Sequence, residues 1–246
     1  MNRDGNSVGY MVTPGNAIVG FLRTSDGTVT PISTPGATYT FANGINNNGV
    51  IVGTCWDANF ESHGFYVKQG TVTKFDVPGA AGTELNGISG NGKAIGNYYD
   101  VTGIHAFVVK KNGKIEKITI PGALAVIGHG LNNRGQWVGS YIDASHKVRG
   151  FILKKDKLTN VDYTLWPSTM VLPSGTFGNL LYELRDYGTD VRGINQRGDI
   201  VGRGFANYYN PFHSIVQTVY TGYTLMSKSH GKDDDDHDDD DDDDDD

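Results

Sequence analysis

The chain has 246 residues, 37% hydrophobic and 11% aromatic, with 34 Gly, 8 Pro and a single cysteine, Cys55. No window approaches the ~18 consecutive apolar residues of a membrane helix, and a lone cysteine excludes a disulfide framework and a thiolate metal cluster. The net charge of −7 hides an asymmetry, because 13 of the 28 acidic residues lie in the last fourteen positions, leaving a body with 15 acids against 21 Lys and Arg.

In chain order, the same unit is met five times. Residues 1–5 (MNRDG) align with residues 45–49 (INNNG), so the chain opens inside a unit with most of a first strand missing. It reads as a shortened product, and its first unit is expected to be incomplete, with an inner position open to another segment or chain and hence to oligomers. A Gly-Ile/Leu-Asn/Ser mark then falls at Gly44, Gly87, Gly130 and Gly193, and a hydrophobic-Gly pair ends at Gly9, Gly53, Gly96, Gly139 and Gly202. A Phe recurs at Phe21, Phe65, Phe107, Phe151 and Phe212, and Pro-Gly-Ala separates units at Pro35, Pro78 and Pro121. The period is near 43 residues, with about twenty more before the fifth unit.

Within a unit, β-branched and aromatic runs are separated by turns such as Asn48-Gly49 and Asn91-Gly92, which predicts a four-stranded meander. A meander of this length repeated around an axis is the size of a propeller blade, and each blade buries its faces only against its neighbours. The expected fold is therefore all-β, a five-bladed β-propeller with an incomplete first blade. The blades fall at roughly 1–35, 36–78, 79–121, 122–167 and 189–226. Residues 168–188 form an insertion placed to act as a lid or pocket wall. There Ser174 or Thr176 is a cap for a short helix near 174–188, with Phe177, Leu180, Leu181 and Leu184 on one face. The poly-Asp stretch within 227–246 cannot bury apolar surface and is expected to be a disordered tail.

GINNNGVIVG followed by HGF, and GISGNGKAIG followed by HAF, resemble the HAF repeats of bacterial extracellular proteins. The resemblance spans roughly residues 1–226 and implies a β-propeller at an extracellular or periplasmic location, although no signal peptide is visible. Later units depart from it: Arg149 and Asn210 stand in place of the His, as does Val19 in the first unit.

No nucleophile elbow, P-loop, zincin helix or dinucleotide fingerprint is present, so chemistry must come from residues that the repeat brings together. The second strands end at Asp57, Asp100 and Asp143, and the third begin with His63, His105 and Arg149. Such pairs are able to ligate a divalent cation; equally, the Asp residues satisfy turn amides and the His residues bond within their own blade. The inner strands carry Asn43, Asn86, His129 and Arg192 just before the repeated Gly, with Glu84 and Asp190 two positions earlier. If these face a central channel, Glu84, His129 and Asp190 suit a Ca²⁺ or Zn²⁺ ion, with His129 or Glu84 as general base and Arg192 steadying negative charge. The alternative is a hydrated channel. Trp56, Tyr99 and Tyr141 on the second strands, with Asn43 and Asn86, offer stacking faces and amides to a sugar, or else serve blade packing.

Two functions stand side by side. One is an extracellular-type binding module for a carbohydrate or small polar ligand, with a divalent cation as its one cofactor. The other is a metal-dependent hydrolase of phosphoesters or lactones at the central channel. The Lys-rich outer edges (Lys110, Lys111, Lys154, Lys155) argue little for nucleic acid, since edge lysines also deter strand pairing.

Overall fold

The computed structural model describes residues 1–162, 169–174, 178–210 and 215–225. These hold nineteen strands and no helix. The first repeat supplies β1 (Ser7–Val12), β2 (Ile18–Arg23) and β3 (Val29–Ile32). The second supplies β4 (Tyr39–Ile45), β5 (Ile51–Trp56), β6 (Ser62–Lys68) and β7 (Thr71–Phe75). The third follows as β8 (Gly82–Ile88), β9 (Ala94–Asp100), β10 (Gly103–Val109) and β11 (Ile115–Lys117). The fourth is β12 (Ala125–Leu131), β13 (Gln136–Ile142), β14 (Val148–Lys154) and β15 (Lys157–Val161). The last sheet is β16 (Thr169–Ser174), β17 (Gly178–Ile194), β18 (Ile200–Asn210) and β19 (Ile215–Leu225). Consecutive strands pair antiparallel within each repeat, and the first two repeats join through one parallel bridge between Ile18 and Tyr39. β1 pairs with β2 alone, and residues 1–6 make a turn rather than a strand.

The hairpin glycines take the left-handed conformation that their turns require, as at Gly49 (φ 72°) and Gly92 (φ 86°). A second recurrent device is a bulge in each inner strand. Ala42 faces Gly53 and Gly44 faces Val52, which leaves Asn43 unpaired; the same shift isolates Asn86, His129 and Arg192. Each bulge re-aims one side chain out of the pleat. Opposite it, the glycine of the hydrophobic-Gly pair is obligatory, because a Cβ at Gly53, Gly96, Gly139 or Gly202 would collide with the carbonyl oxygen of Phe41, Glu84, Ile127 or Asp190.

The core lies between repeats rather than inside them. One buried cluster joins Ile32 to Ala42, Cys55 and Phe65; another joins Val52 to Leu85 and Phe107. A third joins Ile95 and Val108 to Val126 and Phe151, and a fourth joins Val138 to Val191 and Ile200. Phe65, Phe107 and Phe151 are fully buried, each contributing about 1.5–3 kcal/mol of transfer free energy. Burial also pushes the lone Cys55 thiol above its ordinary pKa, which leaves it a small apolar filler.

The inner strands meet at their glycines. A Cβ on Gly44 would lie 3.3 Å from Gly87 Cα, and one on Gly130 would lie 3.4 Å from Gly193 Cα. An asparagine ladder runs alongside: Asn2 Nδ2 donates to the Asn46 carbonyl (3.3 Å), Asn46 to that of Ser89 (3.2 Å) and Asn132 to that of Asn195 (3.0 Å). The turns beyond these contacts surround one cavity of about 380 Å³, whose lining includes Asn2, Ile45, Ile88, Leu131 and Ile194, one residue from each repeat.

The helix expected over 174–188 is not formed. Thr169 to Ser174 pair with Glu183 to Gly178, and β17 pairs onward with β18 from Glu183 to Ile194. Among the described residues these two ladders pair the backbone, with a register shift between Leu184 and Asp186, whereas a helix of some fifteen residues is marginal without a surface to pack on. Thr176 and Phe177, and the tail expected within 227–246, lie outside the described residues, as do the side chains of the insertion up to residue 186.

Candidate functional site

Two groups of functional side chains emerge, one on the rim and one at the inner strands. The rim group begins with the turn after β5. Asp57 Oδ1 accepts the amides of Asn59 (2.8 Å) and Glu61 (3.0 Å), closing a tight loop that sets Phe60 in the left-handed region (φ 63°). An aromatic residue there is unfavourable by ~1 kcal/mol or more, and Phe60 remains 68% exposed. Below it, Trp56, Phe60 and Tyr99 share a cavity of about 370 Å³ with Ser62, Gly82 and Glu84. Burial, then the charge and hydrogen bonding of Glu84, push the Tyr99 hydroxyl well above its ordinary value, so it stays a neutral donor at any physiological pH. Three aromatic faces and one carboxylate, with no lysine or arginine in the wall, define the chemistry of this cleft.

The inner group centres on Asp190, which is only 5% exposed. Its Oδ2 lies 2.6 Å from Arg192 Nε and 3.2 Å from Arg203 Nε, and its Oδ1 lies 2.9 Å from His129 Nε2. The imidazole approach is close but not aligned, since Oδ1 has no hydrogen-bond donor in good geometry. Burial alone raises the Asp190 pKa; His129 first, and then Arg192 and Arg203, more than reverse this and hold it at about 2. The carboxylate is thus ionised and already surrounded by positive charge.

The other sequence-selected residues take separate places. Asn43 Nδ2 donates to the Leu85 carbonyl and Asn86 Nδ2 to that of Gly128, both at 2.9 Å, so the two amides fasten the second repeat to the third and the third to the fourth. Glu84 belongs to the rim cavity. Tyr141 is buried, donates to Asn160 Oδ1 (3.0 Å) and packs on Phe151. The Asp/His pairs bond inside their own repeats: His105 to Asp100 at 3.0 Å, and Arg149 to both Asp143 (2.7 Å) and Asp162 (2.8 Å). Hydrogen bonds from Thr102 hold the Asp100 carboxyl at about 2, and those from Ser145 and Arg149 hold Asp143 lower still.

Among the described residues, one set of three His, Cys, Asp or Glu residues brings its ligand atoms within 4.8 Å of one another: Asp57, Glu61 and His63. His63 Nδ1 is tied to Asp76 Oδ1 at 2.9 Å, which orients its Nε2 toward Asp57. Sequence reasoning paired Asp57 with His63 but passed over Glu61. It also missed Phe60 and Arg203. The signal for Arg203 was present, since its equivalents after the repeated glycine are the neutral Thr54, Asn97 and Ser140.

No family model matches the chain, and no curated protein matches it in sequence. Solved structures match it in fold. A protein assigned as TolB from Agrobacterium tumefaciens aligns at a TM-score of 0.52 and 9% identity, over 90% of this chain and 82% of that one. A streptogramin B lyase aligns at 0.43 and 12%, over 89% and 68%. An Aleuria aurantia lectin, solved with α-methyl-L-fucoside, aligns at 0.43 and 12%, over 90% and 74%. At these identities the likeness concerns architecture alone. The chain has an all-β fold of propeller type, built from repeated antiparallel units of three or four strands. No helix among the described residues is long and apolar enough to cross a membrane.

Proposed function

We propose that the chain is a five-bladed propeller of the HAF-repeat kind, working as an extracellular-type binding module for a carbohydrate or small polar ligand. Support for the ring is a cavity to whose lining all five repeats contribute. Support for the function is the rim cavity, in which Trp56, Phe60 and Tyr99 stand around Glu84 and Ser62. Aromatic faces stack on the C–H faces of a sugar ring, while a carboxylate and hydroxyls take its hydroxyl groups; this combination of an apolar wall and a few fixed polar groups is what a small-ligand site needs. The Phe60 loop presents Asp57, Glu61 and His63 at the same edge, and a divalent cation accompanying the ligand belongs there.

Glycan-array screening followed by calorimetry on the best ligand tests the reading. Trp56→Ala and Tyr99→Ala are each expected to weaken binding at least ~10-fold, about 1.4 kcal/mol, with the melting temperature nearly unchanged. Binding that survives both substitutions places the ligand elsewhere. If chelator treatment lowers affinity and Ca²⁺ or Zn²⁺ restores it, His63→Ala is expected to abolish that response.

A further inference from the structure

We propose that Arg192 on β17 and Arg203 on β18 of the fifth repeat form an oxyanion-binding site, preset by the buried Asp190. The repeat itself isolates the feature. Asp190 stands where the earlier units have Phe41, Glu84 and Ile127; Arg192 where they have Asn43, Asn86 and His129; Arg203 where they have Thr54, Asn97 and Ser140. The earlier counterparts of Arg203 are buried, at 5%, 2% and 3% exposure, whereas the Arg203 side chain is 48% exposed and that of Arg192 is 46% exposed. Here two guanidiniums are brought to one carboxylate oxygen with about half of each side chain exposed.

Their arrangement explains how they are held. Asp190 and Arg203 are cross-strand partners on β17 and β18, and Arg192 is the bulged residue beside them. Both arginines approach the same carboxylate oxygen through Nε, at 2.6 and 3.2 Å, so their guanidiniums are neighbours. Arg203 also lies over the Tyr220 ring, 5.3 Å from its centroid. With Nε engaged, the terminal Nη groups of both arginines have no hydrogen-bond acceptor among the described residues, and each keeps the donor fork that fits a carboxylate or phosphate edge. One buried negative charge faces two permanent positive ones and the His129 ring, so the group carries excess positive charge. A divalent cation is repelled from this position, and an oxyanion completes it.

The site is independent of the rim cavity and of the ligand assigned there. Its test is calorimetric titration of the folded full-length protein, in low-chloride buffer, with inorganic phosphate in one arm and glucuronate in the other. At least one is expected to bind saturably at ~1 mM or tighter and to weaken as salt rises. Arg203→Gln and Arg192→Gln are each expected to lower affinity ~10-fold or more. Arg203→Lys, which keeps the charge and the packing of the stem, is expected to weaken binding through loss of the fork even if the glutamine variants do not fold. Lys155→Gln on the outer edge serves as the control and leaves binding intact. Saturation by phosphate alone names a phosphate ligand, and saturation by glucuronate names a carboxylate one. Absence of saturation with both anions, or affinity unchanged in Arg203→Lys and both glutamine variants, overturns the proposal.

Discussion

Asp190 shows how a carboxylate is kept charged inside a β-sheet. Burial favours its neutral form, but the close His129 ring and two guanidiniums hold it at about 2, below its ordinary 3.8. The sign follows directly: ionised Asp190 stabilises the fold above about pH 4, and that contribution is lost as pH falls through about 2. Urea midpoints are therefore expected to fall between about pH 5 and about pH 2.5, and to fall less in Arg203→Gln, whose Asp190 has lost one cation. An equal drop in the two proteins would show that other carboxylates govern acid sensitivity. At this scale the sequence was legible only in part. Trp56, Tyr99 and Glu84 each stood out, yet nothing in the spacing indicates that Glu84 lines a cavity with Ser62 and Trp56 of the preceding unit while His129 meets Asp190. That choice is made by side-chain direction at the sheet junction, which periodicity does not encode.

Among the elements, the repeated glycines were visible as a pattern but not as a mechanism. The mechanism is the bulge, which drives the carbonyl of Phe41 or Glu84 into the space where a Cβ would stand at Gly53 or Gly96. Gly9 occupies the same place in the first repeat, where no inner strand faces it, and a Cβ there meets only the Phe21 ring at 3.0 Å. Gly53→Ala is thus expected to cost about 3 kcal/mol and Gly9→Ala about 1 kcal/mol or less, as measured by chemical denaturation; equal losses would remove the bulge as the cause. The helix expected over 174–188 failed for a related reason. Its apolar residues satisfy a helical spacing, but pairing with β16 and β18 supplies ladder bonds that a local pattern does not reveal.

For the molecule as a whole, the period of near 43 residues was enough to assign strands, turns and propeller-type architecture, because a unit of that size has no way to bury its faces alone. The joints were less visible. Asn132 is 2% exposed; its Oδ1 accepts the amides of Arg134 and Gln136 (both 3.1 Å), and its Nδ2 donates to Asn195 O in the next unit. One side chain thus closes a turn and fastens a junction. Asn132→Ala leaves these buried groups without partners and is expected to destabilise the protein by about 1–3 kcal/mol. If the units unfold as one body, a single denaturation transition moves; a new, earlier transition would instead show that units four and five separate.

The glycine contacts between inner strands also grade how freely each copy varies. Gly44, Gly87 and Gly130 are each pressed by the backbone of the following unit, whereas among the described residues a Cβ at Gly193 would meet the Val201 side chain alone. Mutational drift is therefore penalised most in the copies that are clasped on both flanks and least in the fifth. The charged trio of Asp190, Arg192 and Arg203 sits in that fifth copy, where a repetitive scaffold has latitude to acquire a side chain its siblings have no room to carry.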